Sequence, residues 1–323
     1  MSVHIATTLT PDPTTGPATA KTLDGHADFA LVTDDFTGFD ALEYASWLGP
    51  LTGRLGLVPE VRATHLEPFH LATASATLDY TARARAGLAV GISTTPAEAA
   101  LFGRREPAPA PGAWVEAASV IDVIRRLWDS WDDDAIIRDR ATDRYIDRDR
   151  LHYIEAQLQD STGSDYSVLG PSITPRPPQG HPPIVVRAET GNEAARAAAD
   201  VVLVDEAAGS ISLEDLRTEL DSRVPVLTVL PAPTTRAEVA ELIGSVRILT
   251  GRGAAGVLLS ASAENQLDFS VRLVSEILPA LHAAGLRETP EAAAARHDGA
   301  EPSDLRTRLG LAPAASLYAD VDA

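Results

Sequence analysis

Histidine is the side chain best suited to exchange protons near neutral pH, so its placement along the chain is informative. His65 stands in the stretch RATHLEPFH, directly after an apolar run with the character of a β-strand. His70 falls inside the helical pattern that follows, where we expect it to pack against the protein. The spacing therefore favours His65 as the histidine that contacts a ligand or moves a proton.

Short polar side chains follow other apolar runs in the same way. Asp34 and Asp35 come directly after one such run and are predicted either to bind a ligand or to cap a loop. Thr95, Thr190 and Thr235 each precede a glutamate by three residues, which is the spacing of a helix capping box. A helix that starts after a parallel strand can hold a phosphate with its free N–H groups, although each threonine could simply cap its helix.

The stretch RLWDSWDDDAIIRD at 126–139 could suggest a metal site, but its spacing does not support one. Calcium loops place acidic groups at alternating positions with a glycine for the turn, whereas Asp132, Asp133 and Asp134 are adjacent. We interpret them as the solvated end of an amphipathic helix from Trp114 to Trp131 and predict no metal. The lack of cysteine also excludes a thiolate nucleophile, a disulfide and a zinc–thiolate site.

Eight short apolar runs alternate with helical patterns, which is typical of a parallel sheet with helices outside it. The runs span residues 3–9, 29–33, 55–63, 87–93, 184–188, 201–204, 224–230 and 256–260. Eight strands with crossover helices is the count of a (β/α)8 barrel, whose active sites lie at the carboxyl ends of the strands. We therefore predict an α/β fold with one such barrel domain over residues 1–290.

Three segments depart from a minimal barrel. Residues 129–180 carry no strong helix or strand pattern for most of their length and are predicted to be an insertion loop after the fourth strand. The first crossover, at 10–28, is short and rich in Pro, Gly and Thr, so we expect no good helix and an open corner there. Residues 291–323 are predicted to form a C-terminal arm on the surface or on a partner subunit.

The charge of the chain argues against several classes of partner. With 46 acidic and 27 basic side chains, the formal net charge of -19 would repel nucleic acids and anionic membranes. The first residues, MSVHIATTLT, lack the basic and apolar regions of a signal peptide, and no apolar run approaches the roughly 20 residues that span a bilayer. We expect a cytoplasmic protein that binds neither nucleic acid nor membrane.

Several longer motifs together are similar to one enzyme family. The stretch LTGRLGLVPEVRATHLEPFHLATASATLDY, followed by GLAVGIS, resembles the bacterial luciferase-like monooxygenases. VIRRLWDSWDDDAI and YSVLGPSITPRPPQGHPPIV resemble the nitrilotriacetate monooxygenase branch of that family. The resemblance covers most of the chain. It implies a barrel enzyme, commonly a homodimer, that uses reduced FMN from a separate flavin reductase and dioxygen on a small organic substrate.

The resemblance also implies which residues bind the cofactor. Thr64 and His65 fall at the strand end that lies beside the flavin ring in the family, and His65 is the expected catalytic residue. Ser93 matches the serine that ends the next strand. The other expected cofactor contacts are Asp35, Arg104, Trp114, Thr190 and Gly191.

Substitutions at family positions leave two alternatives open. The family's asparagine is Ala89 here, and its arginine–tyrosine pair is Ala113 and Trp114, so hydrogen bonds typically worth about 0.5–1.5 kcal/mol each are lost. One alternative is a non-catalytic barrel that binds flavin weakly or serves as a structural subunit. The other is an oxidoreductase that transfers hydride with a deazaflavin. Arg104 and Arg105 could compensate by binding a phosphate.

Overall fold

A computed structural model describes residues 2–209, 211–289 and 304–319. In chain order its strands are β1 (His4–Leu9), β2 (Phe29–Val32), β3 (Gly56–Arg62), β4 (Leu88–Gly91), β5 (Ile136–Asp139), β6 (Arg144–Ile146), β7 (Glu155–Gln159), β8 (Asp165–Leu169), β9 (Ile184–Arg187), β10 (Val201–Val204), β11 (Val226–Pro231) and β12 (Gly256–Ser260). Parallel pairing in the order β1, β2, β3, β4, β9, β10, β11, β12 closes a barrel. The predicted (β/α)8 barrel is confirmed, and each of the eight predicted runs forms one of its strands.

The helices surround this barrel. They are α1 (Gly16–Leu23), α2 (Ala41–Leu48), α3 (Pro68–Thr81), α4 (Pro96–Phe102), α5 (Ala110–Trp128), α6 (Glu193–Ala197), α7 (Leu213–Glu219), α8 (Arg236–Gly251), α9 (Gln266–Arg272), α10 (Leu278–Ala283) and α11 (Leu305–Arg308). A π-helical turn at Leu273–Ile277 joins α9 to α10. Among the described residues, no helix combines the length and the apolarity that crossing a membrane requires.

Two of the three predicted helix caps form. The hydroxyl of Thr95 accepts from the Glu98 N–H in a complete capping box, and that of Thr235 accepts from the Glu238 N–H. The prediction for Thr190 is wrong, because α6 begins only at Glu193 and Thr190 therefore lies before the cap position. His70 is also placed wrongly by the sequence pattern, since it is exposed on α3 instead of packed.

The first crossover does not leave the barrel open. Helix α1 forms in spite of its proline, which lies in the first turn, where a helix tolerates it. Gly16 at its start permits the approach of Tyr44, because a Cβ there would lie 1.7 Å from the tyrosine hydroxyl oxygen. That hydroxyl donates to the carbonyl oxygen of Asp12 at 2.7 Å. A contact distant in sequence thus stabilises the crossover, and β1 pairs with β2 along its length.

The insertion at 129–180 is not a loop, which corrects the prediction. It contains two antiparallel hairpins, β5–β6 and β7–β8. The tip of the β7–β8 hairpin docks on the barrel, where the N–H and hydroxyl of Ser161 donate to the Glu116 carboxylate at 2.9 and 2.7 Å. Short, highly charged strands lack a clear alternating pattern, so this hairpin depends on tertiary contacts that no local pattern reveals.

The helix predicted to reach Trp131 ends at Trp128, which also corrects the prediction. Both indole N–H groups donate to carbonyl oxygens of other segments, Trp128 to that of Ala72 at 3.1 Å and Trp131 to that of Ser172 at 2.7 Å. The three aspartates after Trp131 do not merely face solvent. They form ion pairs with Arg150, His152 and Arg176.

Asp129, at the end of α5, is a buried junction between three segments. Its carboxylate accepts from Arg176 Nε at 3.0 Å, from His181 Nε2 at 2.8 Å and from the Leu317 N–H at 3.0 Å. Burial raises the pKa of Asp129, but the hydrogen bond and charge of His181, with the other donors, outweigh it and lower the pKa overall. The side chain is therefore an ionised group with partners on both oxygens.

Side chains of the barrel strands fill the barrel interior, among them Phe29, Val58 and Leu203. Leu305 and Leu309 are buried with them at the amino-terminal end of the strands. The expectation that the C-terminal arm lies on the surface or on a partner is therefore wrong for α11, which closes the bottom of the barrel. The rest of the predicted arm at 291–303 and 320–323 lies outside the described residues.

Candidate functional site at the barrel mouth

A chain of hydrogen bonds joins three side chains at the carboxyl ends of β3 and β4. His65 Nε2 lies 3.1 Å from Ser93 Oγ, and that hydroxyl donates to Glu98 Oε2 at 2.9 Å. The Thr64 hydroxyl accepts from the Ser93 N–H at 2.9 Å. Adjacent parallel strands end side by side, so the residues that follow β3 and β4 meet at one edge. The structure thus brings together Thr64, His65 and Ser93, which were predicted separately.

The imidazole of His65 is enclosed by aromatic rings. It is 6% exposed and stacks on Phe102, with ring centroids 4.7 Å apart and planes 9° from parallel. Phe36 packs edge-on against Phe102 at 5.1 Å. Burial lowers the pKa of His65, and the positive charge of Arg105 lowers it further. The ring is therefore neutral at pH 7, and its Nδ1 is buried without a hydrogen-bond partner in the described part of the chain.

A cavity of about 170 Å³, which we call the hairpin cavity, opens beside His65. Its wall includes an ion pair in which Arg105 Nη1 and Nη2 lie 3.1 and 2.9 Å from the two oxygens of Glu116. Burial raises the pKa of Tyr166 to about 12, so its phenol stays protonated. The cavity is lined by residues 63–68, Arg104, Arg105, Glu116, Asp160 and 164–166.

A second cavity of about 200 Å³, which we call the mouth cavity, lies over the centre of the barrel. Trp114 is 2% exposed, and its indole N–H is buried without a partner among the described residues. A buried donor of this kind is costly to leave unpaired, so it marks a place where a ligand can accept. The cavity is lined by Leu31, Glu60, Arg62, 89–92, Trp114, Val185, Arg187, Glu189 and Leu203.

Arg62 lies across the mouth cavity in a space that Gly91 leaves open. A Cβ at position 91 would lie 2.6 Å from Nη1 of this arginine. The Arg62 guanidinium donates a long hydrogen bond of 3.4 Å to the carbonyl oxygen of Asp34. The ion pairs within 4 Å in the described residues give Arg62 no carboxylate, whereas they pair the other cavity arginines 104, 105 and 187 with Glu67, Glu116 and Asp205.

The remaining predicted contacts lie apart from these groups. The carboxylates of Asp34 and Asp35 cap their own loop, accepting from backbone N–H groups at 36, 41, 37 and 38. Arg104 lines the hairpin cavity, but its side chain is 59% exposed and bound to Glu67. Thr190 and Gly191 follow β9 and line neither cavity.

Sequence reasoning missed three residues of this region. Glu98 was interpreted only as a capping residue, and Glu116 gave no signal because its partners are distant in sequence. A signal for Arg62 was available. Glu60 and Arg62 stand two residues apart in an otherwise apolar strand, so both face the barrel interior.

Comparisons with known proteins support the interpretation of the motifs. The family described as luciferase-like monooxygenase matches residues 20–222. One component of the pristinamycin IIA synthase of Streptomyces pristinaespiralis is 32% identical over 282 residues, covering 87% of this chain and 80% of that protein. Nitrilotriacetate monooxygenase component A of Aminobacter aminovorans is 37% identical over 157 residues, covering 48% of this chain and 34% of that protein.

A solved structure agrees in fold. The crystal structure of a riboflavin lyase with modified FMN and riboflavin superposes with a TM-score of 0.77, covering 97% of both chains at 15% identity, which shows the fold alone. The family match and the relative that aligns along most of the chain show more. The chain belongs to the luciferase-like monooxygenases, the family of flavin-dependent enzymes that its motifs predicted.

Proposed function

We propose that this protein is a monooxygenase that uses reduced FMN and dioxygen to oxidise a small organic substrate at the barrel mouth. The observation that carries the proposal is a pair of buried nitrogens without partners in the described residues. These are His65 Nδ1 beside the hairpin cavity and Trp114 Nε1 at the mouth cavity. Native proteins pair most buried polar atoms, so two orphans at the mouth of one barrel support a polar ligand there.

The residues present fit an isoalloxazine ring. The ring has carbonyl oxygens that can accept from Trp114 and N–H groups that can donate to a histidine. Arg62 adds a positive charge that no described carboxylate neutralises within ion-pair distance. Ligand pockets usually measure about 300–1,000 Å³, whereas these cavities measure about 170 and 200 Å³. A flavin would therefore have to extend over both cavities or displace side chains between them.

The phosphate end of FMN fits less well at the expected position. Thr190 and Gly191 stand beside Glu189 and Glu193, which would repel a phosphate. The nearby Arg196 is 1% exposed and bound to the Glu189 carbonyl oxygen and to Glu219. We therefore propose Arg62, in addition to the predicted Arg104, as a cation available to an anionic part of the ligand.

Bound FMN would supply the redox chemistry with dioxygen, and the chain's own residues would bind, orient and exclude water. Phe36 and Phe102 shield His65 from solvent. The docked β7–β8 hairpin covers the adjoining cavity. These groups form a desolvated pocket in which a neutral His65 can accept a hydrogen bond.

The partners follow from the same proposal. A protein that consumes reduced FMN needs a source of it, and the name of the nitrilotriacetate relative calls that protein a component. We propose a separate flavin reductase as the source in this case too, and a homodimer in the cytoplasm as the working form. Size-exclusion chromatography with light scattering tests the dimer.

The decisive experiment is a titration of the apo-protein with oxidised and anaerobically reduced FMN, followed by calorimetry. We expect reduced FMN to bind, and Trp114→Phe to weaken its affinity by about three- to tenfold, the loss of one hydrogen bond. Trp47→Phe, which alters an exposed indole on α2, is the matched control and should leave affinity unchanged.

Two outcomes would contradict the proposal. If folded protein binds neither form of FMN at hundreds of micromolar, the FMN reaction is wrong and the non-catalytic barrel is favoured. If it binds a deazaflavin but not FMN, the hydride-transfer alternative is favoured.

A further inference from the structure

Glu98 is the last member of the hydrogen-bond chain at the barrel mouth and lies on α4, beyond the ring that it influences. We infer that Glu98, acting through Ser93, holds His65 as the tautomer with hydrogen on Nε2, which leaves Nδ1 to accept from an N–H or O–H group of the ligand. The tautomer follows from the protein alone. The role of Nδ1 toward a ligand rests on the proposed function.

The inference begins with the hydrogen atoms that reach Glu98. Its Oε2 accepts from Ser93 Oγ at 2.9 Å, from Thr95 Oγ1 at 2.8 Å and from the Thr95 N–H at 3.4 Å. Burial raises the pKa of Glu98, but the hydrogen bonds from Thr95 and Ser93 outweigh it and lower the pKa overall. An ionised carboxylate can only accept, so the single hydroxyl hydrogen of Ser93 points to Glu98.

Ser93 Oγ can then offer only lone pairs to His65. Nε2 lies 3.1 Å away and must donate. A neutral imidazole has one N–H, so Nδ1 carries a lone pair. Arg105 does not supply a donor to it, since both of its Nη groups are directed at Glu116.

Nδ1 is buried and has no partner in the described residues. A ligand group with a hydrogen to donate would satisfy it, whereas a second hydrogen on the ring itself would be left unpaired in a buried place. Reduced isoalloxazine and hydroxyl-bearing substrates both carry such a donor. Glu98 is thus a positioning residue, and the capping box that starts α4 also orients the ring two hydrogen bonds away.

Nuclear magnetic resonance of protein labelled with ¹⁵N-histidine tests this on the apo-protein. The His65 signals are assigned by their loss in His65→Phe. In the wild-type protein we expect hydrogen on Nε2, none on Nδ1, and slow exchange of the Nε2 hydrogen with water. In Glu98→Gln the side-chain amide can donate as well as accept, which no longer fixes the Ser93 hydroxyl, and exchange should be faster by about tenfold.

Thr95→Ala is the matched control. It also removes a helix cap from α4 but keeps the contact between Ser93 and Glu98. We expect the His65 signals of this variant to match those of the wild type. Hydrogen on Nδ1 in the wild type would overturn the tautomer. Equal changes in Glu98→Gln and Thr95→Ala would overturn the role of Glu98, because helix loosening alone would then explain them.

Anaerobically reduced FMN is the probe for Nδ1. Binding that moves the Nδ1 resonance supports its role as an acceptor, and binding that leaves it unmoved overturns that role. If FMN does not bind, the proposed function and the role of Nδ1 toward this ligand both fail, while the tautomer is still decided by the spectrum of the apo-protein.

Discussion

Asp129 and His65 are both buried polar side chains, yet their surroundings differ. Asp129 has donors on both carboxylate oxygens, from the proline-rich segment and from the C-terminal segment. His65 has a partner on Nε2 but none on Nδ1 among the described residues. A fully paired network stabilises the fold, whereas an unpaired atom at a barrel mouth remains available for a ligand. The comparison separates a structural site from a binding site without reference to sequence motifs.

The largest effect should come from Asp129→Asn. The substitution places an amide N–H₂ group among donors and leaves Arg176 and His181 short of a negative charge. Breaking a buried ion pair by removing one partner typically costs about 3–5 kcal/mol, and we expect a loss of free energy of unfolding in that range. Urea denaturation measures it.

Asp134→Asn is the control for this prediction. It breaks an exposed pair with Arg150 in the same segment, at 2.8 Å, and should cost less than about 1 kcal/mol. Equal losses in the two variants would contradict the distinction between a buried and an exposed pair.

A smaller effect, of a different kind, is expected for His65→Phe. The new ring can still stack on Phe102, but both ring nitrogens are lost. We expect about three- to tenfold weaker binding of reduced FMN and a loss of stability of only about 1 kcal/mol, one hydrogen bond in each case. Anaerobic calorimetry and urea denaturation measure the two quantities. Unchanged affinity with a large loss of stability would place His65 with Asp129 as a structural residue.

Acidification should act on the two sites in different pH windows. The pKa of Asp129 is lowered in the folded protein, so its stabilisation is present above the unfolded value of about 3.9 and is lost as the pH falls through the folded value. The pKa of His65 is lowered too, so the unfolded chain takes up this proton first and stability begins to fall below about pH 6.5.

Free energies of unfolding at several pH values test these windows. The difference between wild type and Asp129→Asn should shrink toward pH 3. The difference between wild type and His65→Phe should change mainly below pH 6.5. A pH-independent difference for either variant would contradict the corresponding assignment.

The smallest effect is expected for Phe102→Ala, which removes the ring stacked on His65. Such an aromatic pair contributes about 0.5–1.5 kcal/mol. We expect the pKa of His65 to rise toward its ordinary value, because burial is the first cause of its lowering. A histidine titration by NMR measures the change, and an unmoved pKa would show that Phe102 does not shield the ring. Tyr80→Ala, which removes an exposed ring, should leave the His65 titration unchanged.

Local patterns in the sequence were sufficient for the eight barrel strands and for the caps at Thr95 and Thr235, because periodicity and capping depend on residues close together in the chain. The long motifs were sufficient for the family. The closed first corner, the two hairpins of the insertion and the α11 plug were not predictable in this way. Each depends on contacts with distant residues, such as Tyr44 with Asp12 and Ser161 with Glu116.

The candidate site shows the same division. The sequence alone determined that Thr64, His65 and Ser93 stand at strand ends, and parallel pairing then makes such ends neighbours. Only the tertiary structure decided that Glu98 reaches Ser93, that Arg62 lacks a described carboxylate partner and that His65 Nδ1 is unpaired. Pairing and burial are properties of the space around a side chain, and that space is formed by segments far apart in sequence.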